Sequence, residues 1–363
     1  MLGLGNTVSS GSALESLYSI TLDGTDDYVS IDSLASELSD DMAYSLSIWI
    51  KGDSNTSSGG GNIFFSAHDA AGSTNIIRIG VDLSGTKGIF YADAGTGNTS
   101  NLGAVDLDDG AWHNIIITRP SGSGGQQSKL YIDGGSAITT DLDDSDPEWS
   151  SATKVSIGQE WDGTSSSDHY QGEIDEVSFW TVELDYGSVQ KIYNQGSKID
   201  VTTGASIDST YLKGYWRMGN GTFDDKVNGV IHDQHNPGFG NEIFANGWDT
   251  LNLGSPAVNS NGRITVETNH SGLLHETGHV SDGAVYKVVM DLETYTGGKI
   301  YVGGTQVTPT LGLNTYYIRS AGTNTGFGIN DPNNFVASNL SVKKLNGYPG
   351  LTSGGPTFSS DIP

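Results

Sequence analysis

Short apolar or alternating runs are separated along this chain by clusters of Gly, Asn, Asp and Ser, and they recur roughly every 10 to 15 residues. The clearest lie at 18–22, 28–31, 45–50, 62–66, 76–81, 88–92, 112–119, 129–132, 154–157 and 173–180. Runs this short at this spacing predict antiparallel strands of a sandwich. Helical spacing appears at 185–194, where Val189, Ile192 and Tyr193 recur on one face and Asn194, Gln195 and Gly196 supply a stop. A further strand is expected at 214–221.

The loop at 232–240 contains Asn236, Pro237 and Gly238 and is the predicted domain boundary. Strand signals resume at 263–267, 284–292, 299–302, 316–320, 326–329 and 337–344, enough for a second, smaller sandwich. Residues 346–363 are rich in Gly, Ser and Pro without periodicity and read as a strap or tail. The predicted fold is therefore all-β. Two antiparallel β-sandwich (jelly-roll) domains, 16–235 and 236–345, are expected between an N-terminal arm, 1–15, and a C-terminal tail, 346–363.

Composition narrows the function classes. The 51 glycines against nine prolines suit a turn-dense β protein. With 43 acids and 17 bases the net charge is −26, which argues against a binder of phosphate backbones and against an anionic membrane surface. Cysteine is absent, so disulfides, thiolate nucleophiles and cysteine-ligated zinc are excluded. No basic n-region or stretch of about 18 apolar residues is found, so synthesis in a cytoplasm without membrane insertion is expected. The acidic, lysine-poor surface nevertheless has the character of an exterior protein.

Six segments, in order, carry a resemblance. They are Tyr18 to Val29, with Leu22, Asp23, Gly24, Asp26, Asp27 and Tyr28; Ser45 to Lys51; Gly110 to Arg119; Lys129 to Gly134; Val155 to Gly158; and Tyr170 to Trp180. As a set they resemble the laminin-G-like branch of the concanavalin A-like lectin/glucanase superfamily over about residues 15–225. Trp112, His113 and Asp133 read as fold determinants. Ile115 and Ile117 lie opposite Ile116, so that strand is apolar on both faces and should be an inner one.

The resemblance raises three chemical questions. Glucanases of the superfamily carry a Glu-x-Asp-x-x-Glu or Glu-x-Asp-x-Glu strand, and retaining pairs hold their carboxyl groups about 5–5.5 Å apart. Here Glu173 and Asp175 share a face by alternation, but Val177 and Ser178 stand where the last acid belongs. Asp175 and Glu176 are adjacent and are expected to point to opposite faces. The expectation is a noncatalytic domain. If the chain is an enzyme, Glu173 and Asp175 are the candidate catalytic residues. His275 and His279 stand four apart, but their Gly-rich, β-prone surroundings disfavour a metal-binding helix.

Laminin-G-like domains often hold calcium at a sandwich rim, which implies Asp69, Asp144 and Asp146 as candidate ligands, calcium taking six to eight hard oxygens. For sugars, an aromatic ring in a loop stacks on a pyranose while neighbouring polar groups bond its hydroxyls. Trp149, Trp161 and Tyr170 are the candidates. The second module resembles carbohydrate-binding jelly rolls through residues 286–290, 297–304, 314–317 and 337–350, with Trp248 at its start.

Met1 to Asn6 and Asn346 to Gly350 resemble the ends of structural proteins from marine tailed phages. A lectin-like exterior protein without a secretion signal fits release by lysis as part of a particle. The functional expectation is a virion structural protein displayed on capsid or tail, as decoration, fibre or receptor-binding component, contacting other virion proteins and host or environmental glycans as a homo-oligomer on the virion surface. The alternatives are a glycoside hydrolase of the same fold and a secreted bacterial adhesin.

Overall fold

The computed structural model describes residues 17–52, 61–69, 75–82, 89–92, 99–100, 106–123, 126–139, 149–203, 208–243, 257–260, 262–266, 273–276, 278–322 and 326–363. The arm expected at 1–15, Asp144, Asp146 and Trp248 lie outside the described residues. Two units are formed, one from residues 1–236 together with 350–363 and the other from 237–349. The expected order of two modules and a tail is thus corrected. In chain order the second unit is an insertion, and the chain then returns to the first.

The first unit is an antiparallel sandwich of two eight-stranded sheets. Its first sheet runs Ile138–Thr139, Lys129–Ile132, His113–Arg119, Tyr44–Gly52, Gln171–Trp180, Ser19–Asp23 and Thr357–Ser359, with Leu212–Trp216 also paired to Gln171–Trp180. The second runs Val230–Ile231, Gly350–Ser353, Tyr28–Ser30, Lys154–Ile157, Gly61–His68, Asn75–Asp82, Ile89–Ala92 and Thr99–Ser100. The terminal stretch expected as a tail therefore supplies one strand to each sheet. Strands of three and four residues in a Gly/Ser/Pro background are too short to show a period of two.

Alternation sorts the first sheet into two faces. Ile20, Ile50, Ile115, Ile117 and Ile174 are buried, as are Phe65, Ile79 and Ile157 of the second sheet. Phe65 and Phe179 stack across the sandwich at 6.1 Å. On the other face of the first sheet, Ile116, Tyr131, Trp180 and Tyr215 pack with Val189 and Ile192 of the helix Tyr186–Tyr193. That confirms His113–Arg119 as a strand with two apolar faces. The helix forms where its spacing predicted. The Asp185 carboxylate caps it by accepting from Ser188 N at 2.7 Å, and Asn194 ends it at a left-handed φ of 45°.

In the second unit a six-stranded and a four-stranded antiparallel sheet share one core that includes Val288, Met290, Ile300, Phe327, Ile329, Phe335 and Val342. Ala257–Ser260, Leu273–Glu276 and Phe239–Glu242 add strands that the sequence pattern hides. His275 lies within Leu273–Glu276 and His279 beyond it, so no helix presents them together. Among the described residues no helix is long and apolar enough to cross a membrane.

Candidate functional site

The strand Gln171–Trp180 carries three carboxylates, and the sheet assigns them to different neighbourhoods. Glu173 pairs with Lys51 and Asp175 with Trp49 in the register of the adjacent strand, so the two acids share the helix-side face as alternation predicted. Beyond Asp175 the register slips, and Ser178 is the next residue paired, with Ser47. Glu176 takes a left-handed φ of 48°. This is a β-bulge, which inserts a residue and re-aims its side chain.

The bulge overturns the expectation that Asp175 and Glu176 diverge. Both are buried in one ion cluster. Asp175 pairs with Lys198, both side chains being almost without solvent contact. Glu176 accepts from Arg217 Nε at 3.3 Å and from the Tyr215 hydroxyl. Burial, then the Glu176 charge, pushes the Asp175 carboxyl well up, and burial likewise raises Glu176 against Arg217. The Asp175 side chain is sealed.

Glu173, its side chain 14% exposed, borders open space. A cleft of about 540 Å³ opens there, lined by Thr21, Lys51, Gln171, Glu173, Ser359 and Asp361 among others. Its floor is made by close backbone approach. A Cβ on Gly172, where φ is +149°, would lie 2.4 Å from the Lys51 carbonyl oxygen, so only glycine fits. Lys51 Nζ is 3.4 Å from Glu173 and also pairs with Asp361. The half-buried indole of Trp112 donates to Asp361 Oδ1 at 3.0 Å. Those two donors hold the Asp361 carboxyl below its ordinary range. The cleft therefore presents an ammonium, carboxylates, an amide and hydroxyls, the donors and acceptors that polyol recognition requires, with the Trp112 N–H held on the Asp361 carboxylate at its edge.

The sequence-derived aromatic candidates are placed differently. Trp149 is 1% exposed and packs on Tyr44 at 5.0 Å; Tyr170 is 1% exposed, edge-on to Phe64. Trp161 belongs to the hairpin of Glu160–Asp162 and Ser165–Ser167. Its indole donates to Ser156 Oγ at 2.9 Å, Lys154 Nζ lies 3.5 Å from its ring centroid, and Tyr28 meets it edge-on. All three rings are packing residues in this structure, and none offers a free face for stacking. Beside Trp161, Glu160 is buried with Arg78 at 3.4 Å, and burial pushes its carboxyl up to about 7. The cleft begins one residue after Tyr170, at Gln171.

Asp69 follows the strand Gly61–His68 as expected, and its proposed partners Asp144 and Asp146 fall outside the described residues. Among the described residues one trio of carboxylates, Asp23, Asp26 and Asp27, converges to within 4.8 Å. These are hard oxygens of the kind calcium takes, yet Asp23 Oδ1 accepts from Thr25 N at 2.8 Å and Asp27 Oδ2 from Asp23 N at 3.1 Å. The trio's own hydrogen bonds account for the turn. His113, read as a fold determinant, joins Asp133 at 2.7 Å and Asp109 at 3.2 Å and so ties one hairpin to the preceding loop.

Sequence reasoning missed Lys51, Gln171 and Asp361 as site residues. Lys51 carried a usable signal, being the first base in the chain at the end of an apolar strand. Asp361 carried none, because its partner is 310 residues away.

Residues 23–190 match the family model Laminin_G_3, of the concanavalin A-like lectin/glucanases superfamily. That stretch contains Lys51, Trp112, Gln171 and Glu173, while Asp361 lies beyond it. No curated protein matches the chain. Among solved structures, a native heptameric SAP-like pentraxin from Limulus polyphemus is 16% identical over 50% of this chain and 84% of its own, with a TM-score of 0.37. The CBM40 of the Ruminococcus gnavus IT-sialidase, solved with α2,3-sialyllactose, is 11% identical over 48% of this chain and 97% of its own, with a TM-score of 0.35. The NanB sialidase from Streptococcus pneumoniae is 16% identical over 72% of this chain, with a TM-score of 0.35, and the chain spans 34% of its length.

Proposed function

We propose that the chain is a noncatalytic glycan-recognition protein whose first unit takes a sugar in the cleft over Glu173, and that it serves as a structural component of a virus surface. The observation that carries the glycan reading is the cleft itself. Its volume falls in the range of small-ligand sites, and its lining combines the Lys51 ammonium, the Glu173 and Asp361 carboxylates, the Gln171 amide and the Thr21 and Ser359 hydroxyls. The noncatalytic reading rests on Asp175, which is buried against Lys198 and so is not available to pair with Glu173 across a glycosidic bond. The virion placement is supported by the acidic, cysteine-free composition and by the segments that resemble phage structural proteins. A homo-oligomer beside other virion proteins follows from that placement.

A glycan array probed with and without a chelator tests binding and the calcium expectation together. The reading expects neutral and acidic glycans to be bound, and Glu173→Ala to weaken them about tenfold or more, the loss of a charge-assisted hydrogen bond being about 1.5–3 kcal/mol. A signal lost on chelation would place calcium in the site. Release of reducing ends from laminarin, agarose or alginate, abolished by Glu173→Gln, would instead establish the hydrolase. Immunogold labelling of particles with an antibody to this chain tests the virion placement, and unlabelled particles would overturn it.

A further inference from the structure

We propose that the cleft's preferred ligand is a carboxylate-bearing saccharide, and that Asp361 is a built-in stand-in for its carboxylate. This rests on the glycan reading above. Lys51 Nζ and Trp112 Nε1 converge on one carboxylate from two different strands' ends, the ammonium and the indole N–H each donating to it. An indole and an ammonium aimed at the same acid form an anion receptor, and charge-assisted donors of this kind are about twice as strong as neutral ones. A sugar hydroxyl accepts from the same two donors only as a neutral partner, whereas a uronate carboxylate restores the charge-assisted contact.

The occupant is displaceable. The Asp361 side chain is 45% exposed and that of Lys51 25%, in contrast to the sealed Asp175–Lys198 pair. Ion pairs as open as this contribute about 0.2–1 kcal/mol. The backbone beside Asp361 is anchored separately. Ser19 Oγ donates to the Asp361 carbonyl at 2.7 Å, and Ser19 and Ser359 are paired across the sheet edge. Rotation of one side chain therefore clears the receptor without unpairing a strand. Exchange replaces one carboxylate with another, so the charge bound at Lys51 is unchanged and Glu173 keeps its own contact with the lysine at 3.4 Å. What the ligand adds is the remainder of the sugar, which fills the cleft between Thr21 and Gln171.

Calorimetric titration with trigalacturonate and, in parallel, with neutral trigalactose separates the two claims. The wild-type chain is expected to bind trigalacturonate more tightly than trigalactose. Asp361→Ala, which removes the competitor, is expected to tighten trigalacturonate about two- to fivefold relative to trigalactose, the equivalent of the open pair just described. Lys51→Ala is expected to abolish the preference for the acid, bringing the two sugars to the same affinity. Thermal unfolding confirms that each variant is folded. Equal affinity for the two sugars in the wild type, or a preference that survives Lys51→Ala, would overturn the inference and leave neutral glycan binding standing. Absence of binding to either sugar in every variant would overturn both.

Discussion

Two lysine–carboxylate pairs lie on the same face of the same sheet, and they are built for opposite ends. Asp175 and Lys198 are covered by the helix side, with a bulge that turns Glu176 into the same cluster. Two positions earlier, Glu173 and Lys51 are partly exposed, and Asp361 reaches Lys51 from just beyond the strand Thr357–Ser359. The difference is burial, not residue type. Under cover the pair holds the sheet to the segment that follows the helix; in the open it is a receptor that a ligand can enter. The units divide in a related way. The first holds 35 of the 43 acids and 11 of the 17 bases, a net of −24, whereas the inserted unit holds 8 and 6, a net of −2. The chain's acidity is thus a property of the unit that carries the cleft.

The sharpest way to break the comparison is to remove one buried partner. Lys198→Met leaves Asp175 uncompensated and should cost about 3–5 kcal/mol in denaturant unfolding, much of it restored by combining it with Asp175→Asn. A loss under about 1 kcal/mol would mean that the pair is not sealed.

A second buried acid gives a pH signature. Glu160 has its folded-state pKa raised to about 7 from 4.5 by burial. A raised carboxyl binds its proton more tightly in the folded state, so its favourable contribution is complete below about pH 4.5 and is lost as pH rises through 7. Between those limits the wild type should lose up to about 3 kcal/mol relative to Glu160→Gln, measured as the difference between their unfolding free energies across pH. Parallel curves would show that Glu160 is solvated. The smallest effect belongs to the open pair. Lys51→Ala should change unfolding stability by less than about 1 kcal/mol, while removing discrimination between acidic and neutral sugars.

Much of this architecture is legible in the residues. Regular strands such as Lys129–Ile132 and Lys154–Ile157 fall where alternation places them, and the helix Tyr186–Tyr193 is announced by Val189, Ile192 and its Asn194 stop. Alternation also places Glu173 and Asp175 on one face. What is not legible is anything that depends on cover. The bulge at Glu176 breaks the period of two without a glycine to mark it, and Trp161, in a separate two-stranded hairpin, reaches Ser156 of the second sheet. A ring in such a loop has the same sequence whether it faces solvent or Ser156. The partnership of Lys51 with Asp361 depends on the chain returning after the inserted unit, and short Gly/Ser-rich strands give no pattern that foretells it.

The most direct test of the account is a crystal structure of the chain with trigalacturonate. The predicted result is a sugar ordered in the cleft, its carboxylate on Lys51 and Trp112, its hydroxyls on Glu173 and Gln171, and the Asp361 side chain turned away. A sugar ordered instead against the Glu160–Asp162 hairpin, with Asp361 still on Lys51, would contradict it.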